Sequence, residues 1–386
     1  MQRKKLLQKF FASLTGYIML FSTFACDVGE DVIVLGSEKI EMTEFSEQVS
    51  LLPWNVSQYL VAPAENVVTS YLLGDSTRCD KGEPVKVEYS LRDVGDSKII
   101  EEKLELSLEE NFSSIEQTLY FAPRRSYVDI YNLKTGVTYY YRVVVKLNNG
   151  EKHIRISSFQ TENSLRFISL DGACNVRDIG GWKTENGQIV KQGLLYRGSE
   201  IDGGKNKNHP DFCLTKKGIE QLRALGIKTD FDLRSVENKV SEHSILGEDV
   251  SRTFYNAPQY QSFFVQYNQE TVRKIFSDLA KPETYPIYLH CTHGVDRAGS
   301  TALLLESLLG VCKEDIIRDY ELSAFYYNYA HVNRNVENGG NVLTMIERLE
   351  SFAGKTLADK TETFLLSVGV TPSEIASIRS VFLDEK

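Results

Sequence analysis

Several patterns that would betray a function at once are missing from this chain. Its six cysteines, Cys26, Cys79, Cys174, Cys213, Cys291 and Cys312, never fall in a Cys-x-x-Cys pair. Zinc ribbons and dithiol redox motifs are therefore unsupported. Beyond residue 25 no apolar run is long enough to span a bilayer. Positive charge is in deficit: 44 Lys and Arg stand against 53 Asp and Glu, a formal net charge of −9. That balance argues against a general nucleic-acid binder. What remains is an ordinary globular composition, 42% hydrophobic and 25% charged, over 386 residues. A chain of that length is expected to hold two to three domains with a substantial core.

The one basic stretch is at the start. Arg3, Lys4, Lys5 and Lys9 precede an apolar run from Phe10 to Phe24, followed by Ala25-Cys26. This reads as a signal peptide over residues 1–25. Cys26 after a small residue resembles a bacterial lipoprotein site, where the cysteine is lipidated. Phe24 differs from the small residue usual there, so ordinary signal cleavage stays open. The expectation is an exported protein, either a membrane-anchored lipoprotein at the periplasm or cell surface, or a soluble periplasmic or secreted one. Residues 26–46 are acidic and lack periodicity, and read as a tether.

From residue 47 to 162 short alternating strands are expected, among them Val67–Leu72, Val85–Leu91, Lys103–Leu108 and Tyr139–Val145. Asn148-Asn149-Gly150 marks a turn before a last strand. Strands so spaced without helices suggest a β-sandwich. The stretch Leu133-Lys134-Thr135-Gly136-Val137-Thr138-Tyr139-Tyr140-Tyr141 resembles the late strands of fibronectin type III domains. That resemblance implies that the Tyr139 hydroxyl bonds back to the preceding loop. No catalytic constellation is visible here, and a spacer or docking role is expected.

From residue 163 to 386 strands alternate with helices, which argues for an α/β layer fold. The central stretch is His290-Cys291-Thr292-His293-Gly294-Val295-Asp296-Arg297-Ala298-Gly299. A buried strand, Tyr285–Leu289, leads in, and a helix leads out to a stop at Gly310. A loop at the N-terminus of a helix can turn its backbone N–H groups inward to make an anion site. The field that holds a phosphate dianion also favours a thiolate at Cys291. Arg297 adds a planar fork for two phosphate oxygens. A nucleophile on the floor of a phosphate cradle is suited to phosphoryl transfer through a cysteinyl-phosphate. No metal-ligand cluster accompanies the loop, so neither a metal nor another cofactor is expected.

The Cys-x5-Arg pattern resembles the phosphate loop of protein tyrosine phosphatases. The fuller His-Cys-x-x-Gly-x-Asp-Arg-x-Gly form is similar to the bacterial tyrosine/lipid phosphatase branch. Four further blocks of that branch fall in order around it: Asn175–Gly181, Gly193–Arg197, Asp232-Leu233-Arg234 and Asp319–Ser323. The resemblance implies that Cys291 is the nucleophile, that Thr292, His293, Gly294, Val295, Asp296 and Arg297 bind phosphate, and that Asp296 is the general acid. Asp202, Asp178 and Asp171 are the reserve candidates for that acid. His290 is expected to fix the loop by hydrogen bonding, and His293 to face solvent or substrate. Arg177, Arg197 and Arg234 are expected in scaffold ion pairs, with Glu237 as the partner of Arg234.

Two positions depart from the branch. Val295 stands where many relatives carry lysine, which weakens a phosphoinositide reading. Ala298 stands where many carry a hydroxyl residue that assists the thiolate as leaving group, so slow breakdown of the phosphoenzyme is expected. The expected activity is phosphomonoester hydrolysis, with a phosphotyrosine protein or a small aryl phosphate as substrate. The alternatives are an inositol phosphate or phosphoinositide phosphatase, and a tethered protein that only binds phosphorylated ligands.

Overall fold

The computed structural model describes residues 32–73, 78–122, 125–204, 209–238, 240–326, 332–334 and 342–384. The leader over 1–25 and Cys26 lie outside them.

The N-terminal part is built from eight strands: β1 (Val32–Leu35), β2 (Ile40–Met42), β3 (Val85–Leu91), β4 (Ile99–Ser107), β5 (Gln117–Tyr120), β6 (Tyr127–Ile130), β7 (Thr138–Leu147) and β8 (Glu151–Gln160). They form a sheet in the order β1-β8-β7-β4-β5 and a smaller one in the order β2-β3-β6. In β3 the residues Val85, Val87 and Tyr89 are buried while Lys86, Glu88 and Ser90 are exposed, the period of two that a half-buried strand requires. One apolar core joins both sheets, including Val87, Leu104, Tyr141, Val143 and Phe159. The Tyr139 hydroxyl accepts the Lys134 N–H at 2.9 Å, as the corner reading anticipates.

Three expectations are corrected here. The expected tether over 26–46 does not hold for its described residues, 32–46, because β1 pairs in parallel with β8 and β2 pairs antiparallel with β3. Acidic composition hid two strands too short to show a period, and Ile40 is fully buried in the sandwich core. Val67–Leu72 is not a strand. Val68–Tyr71 forms a single 3₁₀ turn, held where Asn55 Nδ2 donates to the Tyr71 carbonyl at 3.0 Å. Tertiary contact overrides the β-branched propensity of that stretch. Finally, the chain between Leu52 and Cys79, where described, does not stay with the sandwich. Helix α1 (Trp54–Leu60) and the 3₁₀ turn place Leu52, Val56, Tyr59 and Val68 in the core of the second domain, and Cys79 joins them there. The chain therefore leaves the sandwich after Leu51 and returns at β3, so a boundary at 162/163 does not separate two self-contained units.

The second domain carries β9 (Arg177–Asp178), β10 (Leu195–Gly198), α2 (Lys216–Ala224), β11 (Thr229–Asp232), β12 (Ser251–Phe254), α3 (Gln269–Leu279), β13 (Ile287–His290), α4 (Asp296–Leu309), α5 (Lys313–Glu321), α6 (Val342–Glu350), α7 (Leu357–Ser367) and α8 (Pro372–Phe382). Its sheet runs β12-β11-β13-β10-β9. The first four strands are parallel, and β9 is antiparallel at the edge. Strand β13 lies between β11 and β10 and is buried at every position. Helix α4 is apolar on nearly all sides and buried from Ala298 to Leu309, as a helix enclosed by others must be. Local signals match the helix ends. Thr215 caps α2 by accepting the Gly218 N–H at 3.1 Å, and Thr371 with Glu374 forms a capping box for α8.

Candidate active site

In an open parallel sheet, ligand sites form at the carboxyl ends of the strands. Here β13 ends at His290, and Cys291 leaves the sheet with 3% of its surface exposed. Residues 292–295 form the loop, and α4 opens at Asp296.

The loop is held from behind by its carbonyls. That of Thr292 accepts the Glu200 N–H at 3.0 Å. That of His293 accepts Asn175 Nδ2 at 3.1 Å. Arg197 Nη2 donates to the Gly294 carbonyl at 2.9 Å and reaches the Val295 carbonyl at 3.4 Å. In a trans peptide the carbonyl and the following N–H point in opposite directions. Clamping four successive carbonyls therefore turns the N–H groups of His293 to Asp296 away from Asn175 and Arg197. The N-cap of α4, Val295, supplies no side-chain cap, so the first-turn N–H groups and the positive end of the helix dipole face the same space. The result is an anion cradle with a cysteine at its root.

Local sequence makes this loop possible. Gly294 has φ +72°, and a Cβ there would lie 2.5 Å from the carbonyl carbon of Gly198 at the end of β10. Only glycine permits both that conformation and that approach. The clamping side chains are themselves fixed. Arg197 is fully buried and pairs with Asp319 on α5, which also takes Arg177 Nε at 2.8 Å. Arg177 Nη1 donates to Asn175 Oδ1 at 2.6 Å. The expected scaffold roles of Arg177 and Arg197 are thus seen directly.

His290 lies on a second buried network. Its Nε2 meets Asp230 Oδ1 at 2.9 Å, and its Nδ1 is 3.2 Å from the Cys291 carbonyl. Burial alone would push its pKa down, but the carboxylates of Asp232 and Asp230 outweigh that and raise it. Arg234 does not pair with Glu237. It reaches Asp232 at 2.6 Å, Glu200 at 2.8 Å and Asp202 at 2.9 Å. Arg234 is fully buried at the strand end, whereas Glu237 sits in an exposed 3₁₀ turn, so the nearby charge in sequence is distant from the guanidinium in environment. Arg252, which no motif marks, completes the network by donating to Asp202 at 2.7 Å.

Asp296 is half-buried, and its Oδ1 accepts the hydroxyl of Tyr260. Tyr260 in turn lies 3.0 Å from the Tyr320 hydroxyl. Burial, with the neighbouring Tyr320 and Asp296, pushes the Tyr260 pKa well above its usual value, so this phenol keeps its proton. The backbone of Tyr260 is left-handed, φ +50°, and its N–H donates to Ser300 Oγ at 2.8 Å. Ser300 Oγ thus ties the turn at Tyr260 to α4, and Ala298 offers no hydroxyl. The Arg297 guanidinium is partly exposed and has no carboxylate partner among the described residues. A cation without a counter-ion beside an uncapped helix end is suited to a bound anion.

The reserve acids have other work. Asp202 lies in the Arg234–Arg252 network, which holds its pKa down despite burial. Asp178 accepts the N–H groups of Gly180 and Gly193 at 2.9 and 2.6 Å. Asp171 accepts the Thr215 hydroxyl at 2.8 Å. His293 is half-buried, with its ring edge-on to Phe212 at 5.0 Å. Burial lowers its pKa and favours the neutral form. Sequence reasoning missed Tyr260, Phe212 and Arg252 because they come from loops and strands without a motif.

A model of the tyrosine phosphatase family matches residues 168–384, more than half of the chain. The chain belongs to the tyrosine phosphatase family. A tyrosine-protein phosphatase of Nostoc commune is 28% identical over 134 residues, 29% of this chain and 46% of that protein. A protein of Cupriavidus necator whose name provisionally assigns the same activity is 29% identical over 177 residues, 40% of this chain and 61% of its own length. The chain thus spans about half to three-fifths of the curated relatives it matches. A solved sixth fibronectin type III domain, from human fibronectin type III domain containing protein 3, overlays 31% of this chain and 91% of its own, with 14% identity and a TM-score of 0.17. So low a score carries no argument about the sandwich.

Proposed function

We propose that this protein hydrolyses phosphomonoesters as a cysteine-dependent protein tyrosine phosphatase. One observation carries the reading: four successive carbonyls of the loop after Cys291 are tied to buried scaffold groups, which leaves the amide face for an oxyanion. The Cys291 thiolate attacks phosphorus in line, forming the S–P bond as the ester P–O bond breaks. Asp296 gives its proton to the leaving oxygen. The loop amides and Arg297 hold the three equatorial oxygens, where transition-state charge resides. Water then attacks phosphorus, the S–P bond breaks, and Asp296 takes the water's proton. Thr292, His293, Gly294 and Val295 line the phosphate, and His290 orients the strand end.

A phosphotyrosine protein or a small aryl phosphate is the substrate class. Val295 in place of a lysine speaks against polyphosphorylated lipids. The sandwich, with Tyr139 bonded to its own loop, fits a fibronectin type III-like docking domain. The basic-then-apolar start ending at Cys26 supports export and anchoring by lipid on the periplasmic or outer face of a membrane.

The test is turnover of an aryl phosphate by wild type and Cys291→Ser. The variant is expected to lose at least about a thousandfold in kcat, since no other group can replace the covalent step. Equal rates would remove the proposal.

A further inference from the structure

The segment that leaves the sandwich does more than fill an apolar core. Residues 78–80 pack beside the turn that follows α5, with the Cys79 N–H donating to the Phe325 carbonyl at 2.9 Å. Asp80 is 2% exposed. Its Oδ2 accepts the backbone N–H of Asn175 at 2.7 Å. Asn175 is the residue whose side chain holds the His293 carbonyl at 3.1 Å. It does so from a left-handed backbone, φ +54°, a conformation that asparagine adopts more readily than most side-chain-bearing residues. Arg78 keeps the Asp80 carboxylate in place, with Nε at 3.0 Å from Oδ1 and Nη2 at 3.1 Å from Oδ2. The remaining guanidinium nitrogen of Arg78 pairs with Asp211. Asp211 precedes Phe212, whose ring meets that of His293. Two arms from one short stretch therefore converge on His293: one through Asn175 to its carbonyl, one through Asp211 and Phe212 to its ring.

We propose that Asp80, supported by Arg78, is a positioning residue for phosphate binding: it fixes Asn175, and through it the peptide between His293 and Gly294. The N–H of Gly294 belongs to that peptide and points into the cradle only while the His293 carbonyl is held. The outcome matters at small displacements, because hydrogen bonds to a phosphoryl oxygen weaken steeply with distance and angle. Asp80, which precedes the sandwich strand β3 in the chain, thereby acts on the phosphate loop of the second domain through Asn175. The inference rests on the phosphatase reading of the loop.

The test compares Asp80→Ala, Asp80→Asn and Tyr59→Phe in the full chain, well below their unfolding temperatures. The readouts are competitive inhibition by inorganic phosphate and the separate kcat and KM for an aryl phosphate. Tyr59→Phe is the control, because it breaks a buried bond from the same segment to Glu321 without touching the loop. Asp80→Ala is expected to raise the phosphate inhibition constant about tenfold, and the isosteric Asp80→Asn, which keeps one acceptor, about threefold. Tyr59→Phe should stay within about twofold of wild type while its unfolding temperature drops. If Asp80→Ala does not fold, the contrast between Asp80→Asn and Tyr59→Phe decides. An unchanged inhibition constant in Asp80→Asn, or an equal rise in Tyr59→Phe, would overturn the inference. Activity independent of Cys291 would instead overturn the phosphatase reading itself, so the two failures are distinguishable.

Discussion

At the scale of single residues, the chemistry concentrates on three side chains and their immediate partners. Asp296 faces the leaving group in the proposed mechanism, and Tyr260 donates to one of its oxygens. Asp296→Asn is expected to cut kcat about a hundredfold on phenyl phosphate and less than about tenfold on a nitrophenyl ester, whose leaving group needs little protonation. Tyr260→Phe should cost roughly fivefold in kcat on phenyl phosphate with KM unchanged, because it frees the carboxyl to rotate without touching the phosphate. Steady-state kinetics on both esters checks the pair; equal losses on the two would exclude the acid role. In the proposed mechanism Ala298, directly after Arg297, offers no hydroxyl to assist the thiolate as a leaving group. Rapid-quench traces should therefore show a burst of phenol in wild type. Ala298→Ser should shrink that burst and raise the steady rate about threefold.

At the scale of elements, two buried ionic networks hold β13, the loop and α4 in register. One joins Arg177, Arg197 and Asp319 behind the loop carbonyls. The other joins His290, Asp230, Asp232, Arg234, Arg252, Asp202 and Glu200 at the strand ends. Removing one member of such a network leaves charges unpaired out of water, at a cost of about 3–5 kcal/mol. His290 adds a pH dependence with a definite sign. Its folded pKa is raised above the ordinary value, so the protonated imidazolium favours the folded state. That contribution is complete below the unfolded pKa of about 6.5 and fades as pH rises through the folded value. His290→Gln should therefore lower the unfolding temperature more at pH 6 than at pH 9. Thermal unfolding across that range measures the difference, and a gap independent of pH would refute the charged state.

At the scale of the whole molecule, the two domains are interleaved. Leu52, Val56, Tyr59, Val68 and Cys79 share a core with Phe167, Leu322 and Phe325. Arg318 donates to the Ala62 carbonyl, and Arg334 to that of Ala64. A fragment limited to residues 163–386 would expose that apolar surface. It is expected to lose cooperative unfolding and to aggregate, whereas a fragment from residue 32 should unfold in one transition. Calorimetry on the two fragments decides; a stable, cooperative 163–386 fragment would contradict the shared core.

Much of this was legible along the chain. The strand–loop–helix around Cys291, the glycine stop at Gly310, the caps at Thr215 and Thr371, and the alternation of β3 are all written in neighbouring residues, because helices, strands and turns are decided by contacts a few positions apart. The family blocks also placed Arg177, Arg197 and Arg234 in scaffold positions. What the tertiary structure alone decided is who partners whom. It gave Arg234 to Asp202 and Glu200 rather than Glu237, brought Tyr260 to Asp296, and carried Asp80 from the N-terminal part to Asn175. Those pairings span from 32 to 95 positions. They exist only once packing has fixed distant backbones side by side, a geometry that no local pattern of charge or hydropathy encodes.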